Sequence, residues 1–181
     1  RVSKSLFQNP SFKRHSQLGF MYRLPEVAAA LGLAQIEKID WFVQKRIQMA
    51  DMYREVIDEC GCDWIRPQQV PKGDINSAYA FAATLENDDV SWEEFRLKFI
   101  ENGGDGFYSA WTLCYQEDSI DDVREFLEPI GLNDRFNTDK GICPNAERVQ
   151  KKIMQFTTNQ KDFSEMKVQA DALRKTILYY S

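Results

Sequence analysis

The chain has 181 residues, 43% of them hydrophobic and 28% charged, with a formal net charge of -5. That length suffices for one domain burying about 70% of its unfolded surface, and the acidic balance with scattered basic residues excludes an electrostatic footprint for nucleic acid. No apolar run reaches membrane-spanning length and no signal peptide is visible, so a cytoplasmic protein without a membrane partner is expected.

Residues 1–17 are polar and basic without periodicity and read as a loop or arm. Residues 24–59 read as one long helix, or two joined near Asp40. Pro25 suits a first helical turn and Glu26 its positive dipole end. Ala28, Ala29 and Ala30 favour helix and leave room for a close neighbour, while Gly32 inside the pattern suggests close packing or a bend. Ile39, Val43, Ile47, Ala50, Tyr53 and Ile57 recur at steps of three and four and predict one buried stripe. Ala78 to Leu85 alternates Tyr79, Phe81, Ala83 and Leu85 against small residues, a strand with one packed face. Ser91-Trp92-Glu93-Glu94 is a capping box, with Trp92, Phe95 and Phe99 inward and Asn102-Gly103-Gly104 as the stop.

Gly106 to Tyr115 is short and aromatic and predicts a second strand with its turn. Asp121 to Ile130 predicts a helix, Asn133 to Gly141 a polar loop, and Ala146, Val149, Ile153 and Phe156 a further helix. Phe163, Met166, Ala170, Leu173 and Ile177 mark an amphipathic terminal helix. A small sheet covered by helices follows, α+β or α/β in class. Cys60, Cys62, Cys114 and Cys143 form no C-x-x-C pair, and a single histidine makes a zinc site improbable, so reduced thiols and no metal are expected. Gly103, Gly104 and Gly106 lack the lysine and leading strand of a phosphate loop and read as turn residues. Asp88-Asp89 and Asp121-Asp122 read as solvated or cap acids. The chain opens on Arg1 with its first methionine at Met21, which reads as a piece of a longer reading frame.

The run Leu18 to Asp40, L-G-F-M-Y-R-L-P-E-V-A-A-A-L-G-L-A-Q-I-E-K-I-D, resembles the segment G-x-N-Y-R-M-x-E-x-Q-A-A-L-G-x-x-Q-L-x-K-L-D of the DegT/DnrJ/EryC1/StrS family, the pyridoxal-phosphate-dependent nucleotide-sugar aminotransferases. Gly19, Tyr22, Arg23, Glu26, Ala29, Ala30, Leu31, Gly32, Gln35, Lys38 and Asp40 keep the order. Lys45 to Tyr53, Ser77 to Ala82 and Cys143 to Val149 are similar to later motifs of that family.

The resemblance implies the C-terminal part of a fold-type-I, aspartate-aminotransferase-like enzyme. Residues 1–23 would be the tail of the large domain with a trans-acting loop, 24–60 a long interdomain helix, and 61–181 a small α+β domain. It implies a pyridoxal 5'-phosphate enzyme, a homodimer, that moves an amino group from a donor such as glutamate to a keto-deoxy nucleotide sugar. The cofactor lysine and its acidic partner would lie upstream, so no catalytic residue is assigned here; Lys4 and Lys13 read as surface lysines. In the trans-acting loop Met21 stands where the family has an asparagine that contacts the cofactor phosphate, and methionine donates no hydrogen bond. His15 or backbone N–H groups are the alternatives. Arg23 and Glu26 read as an ion pair or cap. Tyr22, Tyr108 and Trp111 are the candidate substrate wall, since aromatic faces suit sugars and nucleobases; core packing is the competing reading for the last two. Two alternatives stay open: a related sugar dehydratase, and a non-catalytic oligomerisation or binding module.

Overall fold

The computed structural model describes residues 12–13, 24–132 and 138–181. The chain divides into two compact units, one made of residues 1–22 and 108–153, the other of 23–107 and 154–181.

The larger unit opens with α1 (Glu26–Ile36) and α2 (Ile39–Glu59). The interruption falls at Glu37 and Lys38, so the long apolar run is two helices. Gly32 does not mark close packing: a Cβ there would meet nothing within 4 Å. The α2 stripe is buried at Met49, Ala50, Tyr53, Val56 and Ile57, while Ile39 at its start is exposed. Two strands follow, β1 (Ile65–Pro67) and β2 (Ala80–Leu85), paired antiparallel with Ile65 opposite Leu85 and Pro67 opposite Ala83. β3 (Ile153–Thr157) completes the sheet in the order β1-β2-β3.

Phe81, Ala83 and Leu85 point into the core as the alternation requires, but Tyr79 does not and is 82% exposed. The cause is the residue before it. Ala78 is held at φ 50°, a left-handed conformation uncommon for alanine. Its N–H donates to Asn76 Oδ1 at 2.9 Å and its carbonyl accepts from the buried Thr158 hydroxyl at 2.6 Å. Arg46 donates to the Tyr79 carbonyl at 3.1 Å and lies over the outward-turned ring.

Helix α3 (Trp92–Glu101) begins with the expected capping box, Ser91 Oγ accepting from Glu94 N–H while Glu94 reaches back to Ser91 N–H. Its inner residues Trp92, Phe95 and Phe99 are buried. The helix ends against Gly104, where a Cβ would sit 2.3 Å from the Phe99 ring, so only glycine lets the chain turn there. The final helix α6 (Phe163–Tyr180) starts on Asp162, whose carboxylate accepts from Ser164 and Glu165 N–H. α6 packs on α2 and α3. Between helices and sheet sits an aromatic core: Phe156 lies 4.7 Å from Phe107, 5.2 Å from Tyr53 and 5.4 Å from Phe99 by ring centroids. The result is an α+β small domain, the class expected.

Two expectations fail in and around the smaller unit. The aromatic stretch before Tyr115 is not a strand; it runs as irregular chain with one isolated bridge at Tyr108 and then a 3-10 turn, Cys114–Gln116. The expected helix through Ile153 and Phe156 is a short helix, α5 (Pro144–Gln150), followed by β3. There the buried residues are Met154 and Phe156, period two, because the segment has a sheet neighbour on which to lie. α4 (Asp118–Leu127) begins three residues before its predicted start and passes into a 3-10 turn, Glu128–Ile130. Within the described residues all four cysteines are free thiols and no helix is long and apolar enough to cross a membrane.

Candidate functional site

The smaller unit carries an open cleft of about 620 Å³, within the size range of small-molecule sites. Its walls come from the Cys114–Gln116 turn, the first turn of α4, the chain at 138–140 and α5. Lys13 closes one side, ion-paired with Asp118, and Thr112 donates to the Phe12 carbonyl at 3.4 Å.

The lining of the cleft includes a hydrogen-bonded pair. Tyr115 donates its phenolic proton to Glu147 Oε1, and the same oxygen accepts Gly141 N–H at 2.6 Å. Local sequence explains both placements. Pro144 occupies the start of α5, where its missing N–H is harmless, which puts Glu147 early in that helix near the positive dipole end. Gly141 has φ 97°, a conformation that glycine adopts freely, and so turns its N–H onto the carboxylate. The Tyr115 and Gly141 donors, helped by the Cys143 N–H and the Lys140 charge, hold the Glu147 carboxyl below the usual range. Desolvation, then the Glu147 hydrogen bond and charge, push Tyr115 up to about 12. At neutral pH the site therefore holds an ionised carboxylate and a protonated phenol. Around them stand Thr138, Gln150, Lys140 and Lys151, groups suited to hydroxyl-rich and anionic ligands.

Of the sequence-predicted residues, His15, Met21 and Tyr22 lie outside the described residues, as does Arg23. Tyr108 is half-buried at the isolated bridge. Trp111 is 40% exposed, and its carbonyl accepts from Gln150 at 2.7 Å. Neither ring lines the cleft, which takes Thr112, Tyr115 and Gln116 from the same stretch instead. The Tyr115–Glu147 pair joins the end of the aromatic run to the C-P-N-A-E-R-V motif; both segments stood out in the sequence, their contact did not. A second cleft of about 240 Å³ lies between α2 and β2 in the larger unit, with Arg54 over the Phe81 ring and 3.9 Å from Asp51. No group of residues suited to a metal ion occurs among the described residues.

An α+β small domain that carries a polar cleft is the class these observations define. The profile of the DegT/DnrJ/EryC1/StrS aminotransferase family matches residues 4–122, and the chain belongs to that family. It is similar to a GDP-perosamine synthase of Escherichia coli O157:H7, 39% identical over 44 residues, which make up 24% of this chain and 12% of that protein. It is also similar to a GDP-perosamine synthase of Vibrio cholerae, 26% identical over 110 residues, 57% of this chain and 28% of that protein. The matched region is thus under a third of either relative's length.

The family's cofactor needs an enclosed lysine amine for its Schiff base. No lysine is buried among the described residues, and the three that line the cleft are exposed. By themselves these residues do not fit pyridoxal phosphate.

Proposed function

We propose that the chain is the C-terminal portion of a pyridoxal-phosphate-dependent aminotransferase that acts on a keto-deoxy nucleotide sugar, with glutamate as the type of amino donor. The observation that carries this reading is the family match, which runs from the entry loop through α1 and α2 to the start of α4. The name that both relatives share favours a GDP-linked sugar. On this reading residues 1–23 end the large domain, 24–60 connect the domains, and 61–181 form the small domain of a cytoplasmic homodimer. Met21 and His15 approach the cofactor phosphate of a neighbouring subunit, and Tyr22, Tyr108 and Trp111 wall the substrate. α1 supports such contacts: Val27, Leu31, Leu33 and Ile36 are each more than 60% exposed, and no residue of that helix is buried. A helix that is apolar all round belongs inside a larger structure.

The experiment is to extend the reading frame upstream of Arg1. An in-frame cofactor lysine, and glutamate-dependent amination of a GDP-linked keto-deoxysugar by the extended protein, are the expected results. An extended protein whose cofactor lysine is replaced would turn the reading to the related dehydratase. A start at Arg1 would turn it to a non-catalytic module. The chain alone is expected to give no borohydride-trapped adduct with pyridoxal phosphate; a stable adduct at one lysine overturns that expectation.

A further inference from the structure

The hydrogen-bond polarity of the cleft is set by one proton. A phenol has a single O–H and two lone pairs. In Tyr115 that O–H is committed to Glu147, so the oxygen can offer only lone pairs to anything else in the cleft. Glu147 cannot easily rotate away, because Gly141 N–H at 2.6 Å pins the same oxygen. An ionised carboxylate has no proton to return.

This part of the cleft lining is therefore an acceptor pair, Tyr115 Oη beside Glu147. A ligand that presents only a carbonyl or ether oxygen there meets lone pairs with lone pairs. A ligand with a hydroxyl or an amino group supplies the missing proton. We propose that the Tyr115–Glu147 pair selects ligands that bring a hydrogen-bond donor, a sugar hydroxyl or amino group, with Tyr115 making the contact and Glu147 positioning its proton. Thr138, whose hydroxyl accepts from Arg124 at 3.3 Å, keeps its own proton to donate, and Lys140 and Lys151 suit a phosphate linked to the sugar. The nature of the ligand as a nucleotide sugar rests on the function proposed above, although the contact made here is apart from the Tyr108 and Trp111 wall, neither of which lines the cleft; the acceptor polarity rests on the hydrogen bonds alone.

The test is calorimetric titration of the full chain with GDP-mannose and, as the comparison that lacks the mannose, GDP. Wild type is expected to bind GDP-mannose about tenfold tighter than GDP, the upper size of one neutral hydrogen bond. Tyr115→Phe removes the acceptor. Glu147→Leu removes the acceptor oxygen, which releases the phenolic proton towards the cleft. Both variants should bind the two probes almost equally while their far-ultraviolet circular dichroism matches wild type; a lower melting transition is expected as well, because the pair also stabilises the fold. A purely structural role for Glu147 would shift melting and leave the ratio unchanged, and that result overturns the proposal. So does a wild type that binds GDP-mannose no better than GDP. If the extended protein transaminates and the preference is absent, only this inference falls; if the preference is present without an upstream cofactor lysine, only the aminotransferase reading falls.

Discussion

Tyr115 and Glu147 reach each other across a long stretch of chain, and their linkage has a sign. Tyr115 is raised in the folded chain, so folding favours the protonated phenol. That contribution is fully present below the unfolded value near 10 and is lost as pH rises from there to about 12. Glu147 is lowered, so its contribution holds above the ordinary carboxylate range and is lost as pH falls. Ultraviolet titration of tyrosinate should show the Tyr115 step, identified by its absence in Tyr115→Phe, move towards ordinary pH in Glu147→Gln. An unmoved step would mean that desolvation alone sets it. None of this was legible in the sequence, because a contact between separated segments leaves no local periodicity. What was legible were its parts: the Cys143 to Val149 motif that carries Glu147, and an aromatic run whose last member is Tyr115. Tyr79 teaches the converse lesson, since its place in the alternation was plain. Three hydrogen bonds at Ala78 and Tyr79 turned it outwards, and alternation carries no information about positive φ.

Among the elements, sequence succeeded where one signal decided and failed where two fitted. The α3 capping box and the α6 stripe are local, and both formed as read. Replacing Ser91 by alanine should lower stability by about 1 kcal/mol, the usual value of such a cap. Gly104→Ala should cost more, roughly 1–3 kcal/mol, since the Phe99 ring must shift to admit a Cβ. Denaturant melts of the two variants check the order, and the reverse ranking would show that the turn relaxes freely. The spacing Ala146, Val149, Ile153, Phe156 fits a helix, yet the same segment also has Met154 and Phe156 at period two. Short apolar runs satisfy both templates, and the neighbouring strand settled the matter. The failed strand before Tyr115 has the opposite cause: aromatic content favours β structure only where a partner strand is present. α1 and α2 were correctly read as helical, but Ile39 extended the predicted stripe past the part that has a core to face.

For the whole molecule, the exposed apolar surface of α1 is the feature from which behaviour in solution is predicted. Leu31 and Ile36, with Trp41 and Phe42 just beyond, stand exposed on a chain whose cores are elsewhere. Contiguous apolar surface of more than a few hundred Å² drives association. The chain should therefore self-associate with concentration in light scattering, and the double variant Leu31→Asp, Ile36→Asp should abolish this. Because neither side chain is buried, the melting transition should not fall; a large loss would mean that α1 supports the fold in a way its exposure does not suggest.

The division into units has one more consequence. The cleft-bearing segment, 108–153, leaves the larger unit after Phe107 and returns at Met154, and the rings of Phe107 and Phe156 touch in the core between those two points. Seen from that core the whole segment is an insertion with anchored ends, and closing a shorter loop costs less entropy than closing a longer one. Replacing it with a brief glycine-serine bridge should leave a protein that still melts cooperatively. Loss of the transition would show that the segment is a structural member. A bridged protein that melts as wild type would show that the cleft and the stability of the core can vary independently.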